Sequence, residues 1–168
     1  MIGLLGGRFD PPHNGHVALA GAALEQLPID RLVVLVAERP AHRGVIASAE
    51  DRLAMAHAAF DGLADVELDP HAYTVDAVRG GRFGDAFFIV GADQAAEFEH
   101  WKEPDEIRRW VQLAVGTRSG YEGAVTFDFE SPPISGTEIR ERVAGGEPID
   151  DLVPPAVARV IEERGLYR

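Results

Sequence analysis

The chain has no cysteine among its 168 residues, so it builds no disulfide, thiolate metal site or thiol nucleophile. Long apolar runs are also missing, which predicts no membrane-spanning helix. The first residues hold no basic region followed by a long apolar stretch, so no secretory signal is expected. Together these absences predict a cytoplasmic protein that does not bind membranes. Lysine is nearly absent, Lys102 being its single instance, and 16 basic residues face 28 acidic ones. A net charge of −12 repels polyanions, so a nucleic acid partner is not expected. A small nucleotide needs only a local positive cluster and stays open. Apolar residues are plentiful, at 46%, which excludes a disordered chain and suffices for one domain with a real core. No repeat, linker or break in composition divides residues 1–168, so one domain is expected.

The most informative stretch is the first. A short apolar run, Ile2-Gly3-Leu4-Leu5, suits a buried strand and is broken by Gly6-Gly7. Arg8-Phe9-Asp10-Pro11-Pro12 follows as an extended turn. From His13-Asn14-Gly15-His16 onward, Val17, Leu19, Ala20, Ala23, Leu24 and Leu27 fall at helical spacing. Strand, glycine loop and helix start bring backbone amides to one spot, which favours a phosphate. Gly6 and Gly7 let a ligand approach the backbone closely. His13 and His16 can both face that anion and donate hydrogen bonds to it. Such a pair also serves as a helix cap, and with Asp10 it forms a candidate metal triad.

Residues 7–16, Gly-Arg-Phe-Asp-Pro-Pro-His-Asn-Gly-His, resemble the signature of the H-x-G-H nucleotidyltransferase superfamily, and the double proline resembles nicotinate mononucleotide adenylyltransferases. A second stretch, Ile134-Ser135-Gly136-Thr137-Glu138-Ile139-Arg140, is similar to that family's Ile-Ser-Ser-Thr-x-Ile-Arg. Here Gly136 keeps an amide and lacks the hydroxyl. The ending, from Val153-Pro154-Pro155 to Arg164-Gly165-Leu166-Tyr167, is also similar, so the likeness spans the chain.

The intervening residues predict alternating strands and helices. Strands are expected at 31–36, 66–68, 85–90, 112–116 and, half-exposed, at 125–129. Ser48, Glu50 and Asp51 mark a helix start whose apolar face holds Leu53, Met55 and Phe60. Arg52 on that helix is expected to be solvated. Thr74 is a candidate cap for a short helix, and Ser135 with Glu138 has capping-box spacing. Pro104 to Trp110 and the stretch after Pro154 each read as a helix opened by proline. The expected fold is α/β, a Rossmann-like, mostly parallel sheet with helices on both faces in a single domain.

The resemblance implies one nucleotidyltransferase domain over 1–168, joining ATP to nicotinate mononucleotide with release of pyrophosphate. It implies catalytic roles for His13, His16 and Arg140. ATP would further meet Gly6, Gly7, Arg8, Phe9, Gly91, Asp93, Ser135, Gly136 and Thr137. The acceptor would meet Arg43, Tyr73, Thr74, Trp101, Lys102 and Arg118, with Trp101 stacked on the pyridine ring. The family's Pro-Pro-His-Lys loop is Arg39-Pro40-Ala41-His42-Arg43 here, with Arg43 in place of the lysine. Mg2+ is expected to arrive with ATP rather than through dedicated protein ligands. Other acceptors stay open (nicotinamide mononucleotide, phosphopantetheine or a phosphorylated alcohol), as do a nucleotide-binding protein without catalysis, a metal-dependent hydrolase and a homo-oligomer.

Overall fold

The computed structural model describes residues 1–41 and 44–168. Six strands make one parallel sheet: β1 (Ile2–Gly7), β2 (Arg31–Ala37), β3 (Asp65–Asp69), β4 (Ala86–Gly91), β5 (Gln112–Thr117) and β6 (Val125–Asp128). Their order across the sheet is β3-β2-β1-β4-β5-β6. Each neighbouring pair is parallel, with Leu4 opposite both Val33 of β2 and Phe88 of β4.

Parallel strands buried on both faces carry continuous apolar runs, and alternate residues go to opposite sides. Leu5, Val34 and Ile89 face one layer, while Leu4, Val33 and Phe88 face the other. The first layer is covered by α1 (Asn14–Gln26) and α2 (Ala49–Ala59), through Leu19, Ala23, Ala56 and Phe60. The second is covered by α3 (Thr74–Val78), α4 (Ala92–Glu97), a short 3-10 turn at Phe98–His100, and α5 (Pro104–Trp110). Two further helices, α6 (Gly136–Ala144) and α7 (Pro155–Arg164), pack on α2 around Met55, Ile139 and Val157. The expected α/β fold is therefore observed, and the half-exposed reading of β6 holds: only Phe127 of that strand is buried.

Three local expectations change. Thr74 does not cap α3; Tyr73 takes the capping position without a side-chain bond, and Thr74 is already helical. Only half of the capping box forms at α6: Ser135 Oγ accepts from the Glu138 amide, while Glu138 reaches forward to Arg142 at 2.9 Å, one turn on. Arg52 is wholly buried rather than solvated. Its Nε donates to the Ala47 carbonyl at 3.1 Å, Nη1 to Arg8 at 2.9 Å and Ala37 at 2.6 Å, and Nη2 to Glu38 at 3.0 Å. A planar fork of donors satisfies carbonyls from the loop after β1 and from both ends of the β2–α2 connection, so the buried charge is fully partnered.

Among the described residues no helix is long and apolar enough to cross a membrane.

Candidate active site

The strand order reverses between β1 and β4, and ligands of open α/β sheets bind outside the strand ends at such a point. Two hollows meet there. One, of about 640 Å³, runs from the β1 loop and the start of α1 to the start of α6. It gathers Gly6, Gly7, Arg8, Phe9, His13, His16, Gly91, Asp93, Ser135, Gly136, Thr137 and Arg140. The other, of about 760 Å³, is walled by Tyr73, Thr74, Trp101 and Lys102. Gly7, Arg8, Asp93 and Gln94 border both.

The histidines owe their geometry to the helix start. His13 is the residue before α1, and its Nδ1 accepts the Gly15 amide at 3.1 Å. His16 Nδ1 accepts the His13 amide at 3.1 Å, closing a reciprocal cap. The rings stack with centroids 3.8 Å apart, and Phe9 supports His16 edge-on at 5.0 Å. A β-carbon at position 15 would stand 2.9 Å from the His13 ring, so glycine is what lets that imidazole fold over the helical turn. Capping and ligand binding thus do not compete: capping occupies Nδ1 and leaves Nε2.

An Nδ1 that accepts an amide proton carries no proton of its own, so each ring in its neutral form presents Nε2–H as a donor. Burial pushes His13 down to about 4. Burial holds His16 well below the usual imidazole value, with His13 and Arg8 adding repulsion. Both rings are neutral donors in the free protein at pH 7, not cations. The expected result in long-range 1H–15N spectra is two Nε2–H tautomers at pH 7, with His13 titrating near 4. Because the folded state prefers neutral His13, its contribution to stability is present above about 6.5, the unfolded value, and is lost as pH falls towards 4. Observation of an Nδ1–H tautomer, or titration near 6.5, contradicts this geometry.

Arg140 is braced rather than loose. Its Nη1 donates to the Asp10 carbonyl at 2.7 Å and Nη2 to Thr137 Oγ1 at 3.2 Å. A β-carbon at Gly136 would lie 2.9 Å from Arg140 Nη1 and 3.2 Å from the Asp10 carbonyl. The glycine therefore makes room for the arginine to reach across to the β1 loop. Gly136→Ser is expected to push Arg140 off that carbonyl and weaken phosphate binding in this hollow about tenfold, measured as Kd for pyrophosphate; unchanged Kd contradicts the packing argument.

Asp10 anchors loops rather than standing as a third ligand beside the histidines. The residue is 6% exposed, and its carboxylate accepts from the Ile46 amide at 2.6 Å, the Ala47 amide at 3.1 Å and the Tyr167 hydroxyl at 2.6 Å. Burial first, then that bond, raises the Tyr167 phenol above its usual value. Among the described residues no three His, Asp or Glu side chains cluster to hold a cation.

In the second hollow Trp101 stands on Phe98 at 5.1 Å and edge-on to Phe88 at 6.0 Å, which fixes its ring. Lys102 lies over the Tyr73 ring at 4.4 Å and pairs with Asp76 at 3.3 Å, so it sits at the rim. Arg118 stands apart from Tyr73, Thr74, Trp101 and Lys102. It follows β5, on the far side of β4, and lines the first hollow with its Nε 3.7 Å from Asp128 and 3.6 Å from Glu130. Arg43 lies outside the described residues. Sequence reasoning missed Gln94, which borders every part of the site. Its position just after the β4 end, at the switch point, is the signal that marks it.

The profile of the cytidylyltransferase-like family matches residues 4–142. A Chlorobaculum parvum protein described as a probable nicotinate-nucleotide adenylyltransferase is 37% identical, over 99% of this chain and 98% of its own length. One from Thermus thermophilus, described alike, is 38% identical over 99% of both chains. A Vibrio parahaemolyticus crystal structure assigned as a nicotinate-nucleotide adenylyltransferase superposes with a TM-score of 0.67, at 19% identity, covering 99% of this chain and 94% of the other. That last likeness bears on the fold.

Proposed function

The chain belongs to the cytidylyltransferase-like family, among the nicotinate-nucleotide adenylyltransferases, and from there we propose that it transfers the adenylyl group of ATP to nicotinate mononucleotide, giving the dinucleotide and pyrophosphate. The whole chain, 1–168, acts as one catalytic domain in the cytoplasm. The observation that carries this reading is the pair of neutral Nε2–H donors, fixed through Nδ1, in a hollow that opens onto a second, aromatic-walled one.

The acceptor's own phosphate is the nucleophile and is largely ionised at neutral pH, so no protein nucleophile or strong base is required. A phosphate oxygen bonds to the α-phosphorus of ATP as the bond to the bridging oxygen breaks, and pyrophosphate leaves with the electron pair. Charge grows on the phosphoryl oxygens along this path, so catalysis reduces to alignment and charge stabilisation. His13 and His16 donate Nε2–H to those oxygens from positions that need no reorganisation. Arg140 and the amides at the start of α6 hold the leaving pyrophosphate. Asp93 and Gln94, at the shared border, face both substrates. Trp101 supplies a flat wall for the pyridine ring.

The phosphate end offers imidazoles, a guanidinium and helix amides rather than a carboxylate cluster. Mg2+ would therefore arrive with the triphosphate rather than on dedicated protein ligands, and would supply neutralisation of phosphate charge there.

The test is pyrophosphate release from ATP and Mg2+ with nicotinate mononucleotide, nicotinamide mononucleotide or no acceptor. Release that depends on the nicotinate form is the expected result. Release without an acceptor, or with neither mononucleotide, overturns the reading.

A further inference from the structure

A side-chain pair in a recess beside the acceptor hollow has no part in the chemistry above. Asp69 ends β3, and the chain turns so that its Oδ1 receives both the His71 amide at 3.0 Å and His71 Nδ1 at 2.7 Å. Asp69 is mostly buried and His71 half-exposed, at 12% and 39% of their side-chain surfaces. Both line a recess of about 180 Å³ that also touches Trp101, Tyr73, Thr74 and Gln94. At roughly 30 Å³ per water, the recess holds about six waters' worth of ligand, enough for one substituted pyridine ring and too little for a nucleotide.

We propose that His71, oriented by Asp69, contacts the carboxylate on the acceptor's pyridine ring and sets the preference for the acid over the amide. The proposal rests on the adenylyl-transfer reading above. With Nδ1–H given to Asp69, the other ring nitrogen faces away from that carboxylate. Deprotonated, Nε2 accepts hydrogen bonds and suits an amide NH2. Protonated, Nε2–H donates, and a carboxylate, which only accepts, is then the matched partner. The proton comes from solvent when the acid binds. Other charged groups around the recess are Arg8 from the β1 loop, Glu38, whose amide bonds the Asp69 carbonyl at 2.9 Å, and the Lys102–Asp76 pair beyond Tyr73.

The test compares kcat/KM for nicotinate and nicotinamide mononucleotides on the full chain between pH 6 and 8.5. The acceptor phosphate titrates alike in both, so the ratio isolates the ring substituent. In the unaltered protein the acid-to-amide ratio is expected to fall as pH rises. In His71→Gln it should be flat with pH and about tenfold lower at pH 6, the scale of a charge-assisted bond, with KM for ATP unchanged. Asp69→Asn, which keeps the imidazole but replaces the carboxylate that orients it, should lower the ratio towards that of His71→Gln. A His71→Gln protein with the original ratio and pH dependence overturns the inference while leaving the adenylyl-transfer reading intact. Loss of turnover with both mononucleotides in the unaltered protein overturns that reading instead.

Discussion

Replacing His16 with alanine should lower kcat about 10²–10³-fold, the scale of removing one preorganised donor from a developing oxyanion. The structure says why this neutral residue matters. Its ring is locked on three sides: the His13 amide at Nδ1, the His13 ring 3.8 Å away and the Phe9 edge at 5.0 Å. What remains is one N–H with a fixed direction. Because interactions made mainly in the transition state lower kcat without a matching rise in KM, the KM values should move little. Alanine also removes the acceptor for the His13 amide, a cap worth about 1 kcal/mol of stability. His16→Asn separates the two effects, since its side-chain oxygen can accept that amide while no donor sits where Nε2–H was. Its melting temperature should recover and its kcat should not. Turnover near the original level in a folded His16→Ala protein rules the role out.

The legible parts of this site were those whose chemistry is written in side chains at short range. Glycine, proline and histidine between β1 and α1 announce a strand, a tight loop and a helix start within sixteen residues, and the structure follows. Arg118 stands in the first hollow rather than beside Tyr73 because strand order is not sequence order. The sheet runs β3-β2-β1-β4-β5-β6, so whatever follows β5 stands across β4 from Tyr73. A metal triad with Asp10 stayed open as an alternative because the partners of Asp10 are invisible locally: two loop amides and a tyrosine 157 residues away. Arg52 was harder still. An arginine on an amphipathic helix normally lies in solvent, and the four groups it serves are backbone carbonyls, which every residue carries and no sequence pattern advertises.

Arg52 is accordingly where the largest loss of stability is expected. Arg52→Met keeps most of the side-chain volume and deletes the guanidinium, leaving the carbonyls of Arg8, Ala37, Glu38 and Ala47 without their donor. Some of these rehydrate at the loop surface and some do not. At 1–3 kcal/mol for each group left buried and unpaired, the net cost is about 3–5 kcal/mol. For a chain of this length that lowers the melting temperature by about 10 °C. Arg52→Lys is the sharper variant. It keeps the charge and the stem, but one ammonium cannot reproduce a planar fork spread over four carbonyls, so most of the loss should persist. The fork also holds the Arg8 carbonyl, one residue from the glycine loop, and the carbonyls that start the loop after β2. Loosening them shifts both substrate hollows together. KM for ATP and for the acceptor should therefore rise in the lysine variant, even at temperatures where it is fully folded. A lysine variant that melts and binds like the parent contradicts this, because charge alone would then suffice.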